Sequence, residues 1–424
     1  MLREIVLALT FASATSVGSW RDNGLTVHTQ EGDVVGTFAS PAVRRFLGIP
    51  FGVAKRWETP HLPPLRQKPF KALDFGDSCP QALTPANLEV LKLIGVDDTV
   101  VPESEDCLSV NVWAPSIQRK QKAAVMLWVY GGAFQFGTSN IGVYDGQHIV
   151  RDNDDVLVVS FNYRLNIFGF PSAPQLVSKT SSQNFGLLDL NAAVQWIYDN
   201  IEAFGGDPER ITLFGQSAGA AVIDAYTFAY PNDTRVKGVI EMSGNLAIDI
   251  TGVSSTNNTT ILDSSAWNQV ADAVGCGTAT NAAQLACMKA IPFKTLENAL
   301  ITTNTAFFTA ADGIIIFADS SARAAAGNFL HIPLLAGTVA HEGDIFVIVT
   351  QELIGFSVPV LAELFAVLST LIEFTCLAGK TASDHLKAGI PIGGTNTKPC
   401  SQKILRVLTS WTENRFQATF RAHG

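Results

Sequence analysis

The chain has 424 residues, 47% hydrophobic and 16% charged, with a formal net charge of −9 and a mean hydropathy of +0.21. That balance excludes a disordered chain and offers no basic surface to neutralise phosphates, so a nucleic-acid partner is not expected. The length allows one large α/β domain or two to three smaller ones.

Residues 1–18 of "MLREIVLALTFASATSVGSW" read as a secretory signal peptide, because Arg3 precedes an apolar run that ends in small residues. Six cysteines suit disulfides in an oxidising compartment. Further on, "AAVMLWVYGG" (123–132) and "DVLVVSFNYRL" (155–165) are apolar enough for strands covered on both faces, as in a parallel sheet. "NAAVQWIYDNI" (191–201) has helical spacing. "RITLFG" (210–215) reads as a strand, "SAGAAVIDAYTFA" (217–229) as a helix and "VKGVIEMSG" (236–244) as the next strand. Alternation of this kind predicts a doubly wound, mostly parallel sheet with helices on both faces.

Sequons at Asn232, Asn257 and Asn258 are candidate glycan acceptors on surface loops. "LIGFSVPVLAELFAVLSTLI" (353–372) is long enough to span a bilayer, but Glu363 and Pro359 interrupt it and no basic cluster flanks it. A buried or pocket-lining helix is the favoured reading of that stretch, and no membrane span is expected.

The strand-to-helix junction carries Gly215-Gln216-Ser217-Ala218-Gly219. Gly-x-Ser-x-Gly at such a junction is the nucleophile elbow of α/β-hydrolases. The turn is sharp, so side chains at positions 215 and 219 would collide, and the helix N-terminus points free N–H groups at an oxygen that becomes negative during attack. Around it, "NFGLLDLNAAVQWIYDNIEAFGGDPERITLFGQSAGA" (184–220) closely resembles the signature of the type-B carboxylesterase, cholinesterase and lipase family. "SEDCLSVNVWAP" (104–115) resembles that family's second signature, and "RFLGIPFG", "WVYGGAFQFG", "VVSFNYRLNIFGF" and "GTVAHEG" are similar to further motifs. The resemblance covers residues 27–391, and Gln216 is similar to the glutamine of fungal and some insect members.

The resemblance implies an α/β-hydrolase fold, with residues 19–391 as its domain and 392–424 as an atypical segment that leaves the C-terminal part incomplete. It implies Ser217 as the acylated nucleophile and Glu342, within "HEG", as the acid that supports the histidine. The "YGGAF" run matches the oxyanion loop, so the N–H groups of Gly132 and Ala133, with that of Ala218, are expected to hold the tetrahedral oxyanion; the alternative is an ordinary tight turn after a strand. It pairs Cys79 with Cys107, around a loop whose "LEVLKLIG" (88–95) is either a lid or a packed surface helix, and Cys276 with Cys287. Cys376 and Cys400 find no clear partners. Arg56 with Glu105, and Arg164 with Asp189, fall where the family places buried ion pairs.

The histidine departs from the pattern. Where the family has a "YHG"-like segment well after the acid, the resemblance dissolves at residue 392, and "AHG" at the end offers only His423 as base. The leading expectation is a secreted serine esterase acting on a small-molecule or lipid ester, needing no cofactor or metal. The alternative is a catalytically impaired relative that binds hydrophobic ligands or a partner protein. Oligomeric state is not legible.

Overall fold

The computed structural model describes residues 23–94, 96, 102–246, 264–354 and 359–393. In chain order the strands are β1 (Thr26–Thr29), β2 (Gly32–Val35), β3 (Thr37–Ser40), β4 (Val43–Pro50), β5 (Phe70–Lys71) and β6 (Ser109–Pro115). They continue with β7 (Ala123–Val129), β8 (Val156–Phe161), β9 (Gly206–Gln216), β10 (Val236–Met242), β11 (Leu334–Gly337) and β12 (Ile392–Gly393). A small sheet is ordered β1-β2-β5, and the large sheet β12-β11-β10-β9-β7-β8-β6-β4-β3. From β12 to β8 every neighbour is parallel, whereas β6, β4 and β3 pair antiparallel at the far side. This is the mostly parallel α/β architecture expected from the strand–helix alternation.

Both faces of the sheet are covered. Val112 and Val159 belong to the main core cluster, while their neighbours Trp113 and Val158 belong to a separate cluster with Val43, Leu47 and Val150. Successive strand side chains point to opposite faces, so one strand serves two cores. The main cluster is closed by helices Phe185–Asn200 and Ala218–Ala229, which supply Leu190, Val194, Ile197, Val222 and Ile223. A third cluster, built round Trp57, Trp267, Met288 and Leu296, seats helices Ser265–Ala273, Ala282–Ala290 and Phe293–Thr302 beside the sheet.

Two boundaries differ from the sequence expectation. The helix expected over 191–201 spans Phe185–Asn200, and Gly186 in its first turn passes the Arg164 carbonyl, where an added Cβ would lie 2.5 Å away. The strand expected over 155–165 ends at Phe161, since Asn162 turns its side chain to accept the Ser139 N–H at 2.9 Å.

Both implied ion pairs and both implied disulfides are present. Arg164 meets Asp189 through Nη2–Oδ1 at 2.7 Å and Nε–Oδ2 at 2.9 Å, with both side chains buried. Arg56 grips Glu105 and donates to the Met288 carbonyl at 2.9 Å and the Ile291 carbonyl at 2.6 Å. Cys79 bonds Cys107, and Cys276 bonds Cys287. Cys376, for which the sequence offered no partner, is also in a disulfide.

The apolar stretch 353–372 falls on helices Asp344–Ile354 and Pro359–Ser369, followed by a π-helical turn Thr370–Thr375 and helix Cys376–Lys387. Residues Ala362–Lys387 are long and apolar enough to cross a membrane by length and composition. Ala366, Phe374, Ala378 and Ala382 pack inward, while Phe365 and Ile372 are exposed.

Candidate active site

Ser217 sits at the last corner of β9, immediately before helix Ala218–Ala229, with φ 56° and ψ −126°. A non-glycine residue there is strained by about 1–3 kcal/mol, and the surrounding packing must hold it. Four glycines make room. A Cβ on Gly219 would lie 2.1 Å from the Val129 carbonyl oxygen, and one on Gly215 would lie 2.8 Å from the same atom. On Gly131 it would lie 2.6 Å from the Gln216 carbonyl oxygen, and on Gly244 2.2 Å from that of Ser217. The Ser217 N–H donates to the Met242 carbonyl at 2.9 Å, which ties the corner to the end of β10.

The loop after β7 faces this corner, with Gly132, Ala133 and Phe134 at φ 114°, 51° and 62°. Three consecutive residues in the left-handed region require outside support. Gln135 and Phe136 N–H groups donate to the Gly132 carbonyl, and Asn166 N–H donates to the Phe134 carbonyl at 2.6 Å. The Asn166 side chain donates to the Gln135 carbonyl at 3.1 Å, and the Gln135 amide is locked onto the Phe307 backbone. Gln81 accepts the Gly137 N–H at 2.7 Å and is itself anchored to Glu297 and Glu103. The N–H groups of Gly132, Ala133 and Ala218 make no hydrogen bond among the described residues.

Glu342 lies five residues beyond β11. Gln216, Met242 and Gly337 are in register at the same end of adjacent strands, which brings the acid's loop to the end of the sheet where Ser217 turns. Glu342 is buried and accepts the Val339 N–H at 2.8 Å. Its neighbour His341 points away, with its side chain 76% exposed. Among the described residues no side chain hydrogen-bonds Ser217 Oγ. His28 pairs with Asp33, His331 with the Gly327 carbonyl, and buried His385 with the Thr381 carbonyl. His423, Asn257 and Asn258 lie outside the described residues, as does the segment read as a signal peptide. Asn232 is exposed on the turn before β10.

Among the buried carboxyls that were missed, two leave an oxygen without a partner. Asp224, on helix Ala218–Ala229, accepts the Leu246 N–H at 2.8 Å through Oδ2, while Oδ1 has no partner. Glu241, on β10, is 2% exposed and its Oε1 is likewise unpartnered. Burial pushes Asp224 up to about 6, against the Leu246 N–H and the Lys380 charge, and it raises Glu241 with help from Asp224. The sequence signal was an acid inside each of two apolar runs, "AAVIDAY" and "GVIEM".

A model of the carboxylesterase family matches residues 23–422, which includes most of the segment read as atypical. The chain belongs to the carboxylesterase family. This family member is 34% identical over 360 residues to a chlorogenic acid esterase of Aspergillus niger, covering 80% of the chain and 67% of that relative. It is 34% identical to secreted lipase 5 of Gibberella zeae over 57% of the chain and 48% of that lipase. With acetylcholinesterase of Electrophorus electricus it shares 32% identity over 77% of the chain and 53% of the relative. The chain thus spans about half the length of the latter two relatives.

Proposed function

We propose that this chain is a secreted carboxylic-ester hydrolase that works through an acyl-enzyme on Ser217. Ser217 Oγ attacks the ester carbonyl carbon while a histidine takes its proton, a role assigned to His423. The Gly132, Ala133 and Ala218 N–H groups donate to the oxyanion. Glu342 balances the charge on the imidazolium. The alcohol leaves carrying the proton, and water then releases the acid by the same steps in reverse. The observation that carries this reading is the strained φ of 56° at Ser217, packed against Gly131 at the start of a glycine loop whose Gly132 and Ala133 N–H groups have no acceptor among the described residues. Strain held by four close-packed glycines is costly unless it aims the hydroxyl.

Secretion is supported by the Cys79–Cys107 and Cys276–Cys287 disulfides and by a relative named as a secreted lipase. Small-molecule or lipid esters are the substrate class, in keeping with relatives named as an esterase and a lipase. A fluorophosphonate probe tests the proposal, because phosphonylation requires an activated hydroxyl. Labelling of wild type at Ser217 and none of Ser217→Ala is expected. Folded protein that takes no label would overturn it and favour the ligand-binding alternative.

A further inference from the structure

The turn between helix Ala218–Ala229 and β10 carries Tyr230-Pro231-Asn232-Asp233-Thr234. It closes as a β-turn, with the Asp233 N–H donating to the Tyr230 carbonyl at 3.0 Å, so Tyr230 and Asn232 occupy its first and third positions. Asn232 is exposed and Tyr230 half-buried. The Tyr230 ring leans on Tyr226, with centroids 4.7 Å apart. Tyr226 donates its hydroxyl to Asp233, which is clamped by Arg235; Arg235 also reaches Gln195 at 2.7 Å and Asn191 at 2.8 Å. The turn is therefore fixed to helix Phe185–Asn200.

Beside it lies a surface groove of about 560 Å³ bounded by Gln195, Tyr198, Tyr230, Asn232, Thr234 and Arg235. The Arg235 guanidinium is already committed to Asp233, Gln195 and Asn191, so the groove offers no free cation to an anion. Its two phenol rings and amide-bearing rim suit a neutral polyol with one C–H-rich face and several hydroxyls. Asn232, the middle of the wall, is also the acceptor of the Asn-Asp-Thr sequon.

We propose that Asn232 carries an N-linked glycan whose first N-acetylglucosamine lies on Tyr230 in this groove. The modification joins Asn232 Nδ2 to C1 of a sugar carried on a lipid pyrophosphate. The N–C1 bond forms as the C1–O bond breaks, the pyrophosphate leaves with the electron pair, and Nδ2 gives up one proton. Because the sugar is tethered, even a weak face-on contact is populated at a high effective concentration. The glycan braces the helix-to-strand turn against helix Phe185–Asn200. It stays clear of Ser217, since β10 runs seven residues from this turn to the Ser217 end of the sheet, about 20 Å. The inference requires passage through a secretory pathway and is independent of the chemistry at Ser217.

The test uses the full chain secreted from a glycosylating yeast. Peptide mass spectrometry after amidase release in heavy-oxygen water is expected to mark Asn232 as occupied; an unmodified Asn232 would overturn the proposal. Protein trimmed to the single first sugar is expected to melt with the fully glycosylated form. Thr234→Ala, which destroys the sequon and keeps Asn232, melts roughly 2 °C lower. In a Tyr230→Leu background the same sequon loss leaves the melting temperature unchanged, and an equal drop in both backgrounds would remove the cradle. Should Tyr230→Leu fail to be secreted, amidase release supplies the same reading. The cradled sugar leaves the native protein several-fold more slowly than the denatured chain, and equal rates would count against it.

Discussion

Asp224→Asn is the perturbation that most directly interrogates the buried carboxyls behind the serine corner. Burial moves Asp224 from 3.8 to about 6 in the folded protein. Each pKa unit is worth about 1.4 kcal/mol, so the shift corresponds to ~3 kcal/mol of stability linked to its proton. Between the two pKa values the folded state binds the proton and the unfolded state does not, so stability falls as pH rises from 4 to 6. Below pH 4 nothing is lost, and above 6 the full amount is gone. Glu241, raised by burial and by Asp224, acts in the same direction. Lys380, which faces Asp224 from helix Cys376–Lys387, opposes it but is itself paired with Asp384 at 2.8 Å. An asparagine cannot ionise, and its carbonyl can still accept the Leu246 N–H. Urea unfolding followed by tryptophan fluorescence at pH 4, 5, 6 and 7 gives the two stability curves. The variant is expected to gain on wild type by ~3 kcal/mol between pH 4 and 7. Curves that stay parallel over that range would refute the reasoning, whatever their offset.

The remaining expectations concern the loop and the ion pair. Gly132→Ala forces a Cβ to within 2.0 Å of the Phe136 carbonyl oxygen at a φ of 114°. It should cut kcat on a chromogenic ester about 10²–10³-fold, with KM changed less and the far-ultraviolet circular dichroism intact. Undiminished turnover would remove that amide from the chemistry. Arg164→Met strands the fully buried Asp189 carboxylate and should cost about 3–5 kcal/mol in urea unfolding, and adding Asp189→Leu should recover most of it. A double variant no more stable than the single would contradict the pair's accounting.

The strand–helix alternation was legible because parallel strands covered on both faces are runs of apolar residues, and β7, β8, β9 and β10 all carry them. The glycines at 215 and 219 were legible as a short motif at a strand-to-helix junction, although the atom they clear, the Val129 carbonyl oxygen, lies on distant β7. Gly244 belongs to no such motif, and the atom it makes room for, the Ser217 carbonyl oxygen, is equally distant in sequence. Asp224 and Glu241 escaped because periodicity assigns acids to the surface, and only the packing of the Asp224 helix on the strand reveals two of them in the core. The partner of Ser217 is the hardest case. A triad is assembled from separated loops, and neither the spacing nor the identity of a histidine in the sequence reports its distance from the hydroxyl.

The Cys79–Cys107 bond closes a 28-residue span that carries helix Pro85–Leu93 and Gln81. Through Gln81 that span also holds Gly137, at the base of the glycine loop. The glycine loop is consequently held from outside by that span, so a graft or length change made there shifts Gly137 and the backbone on either side of it.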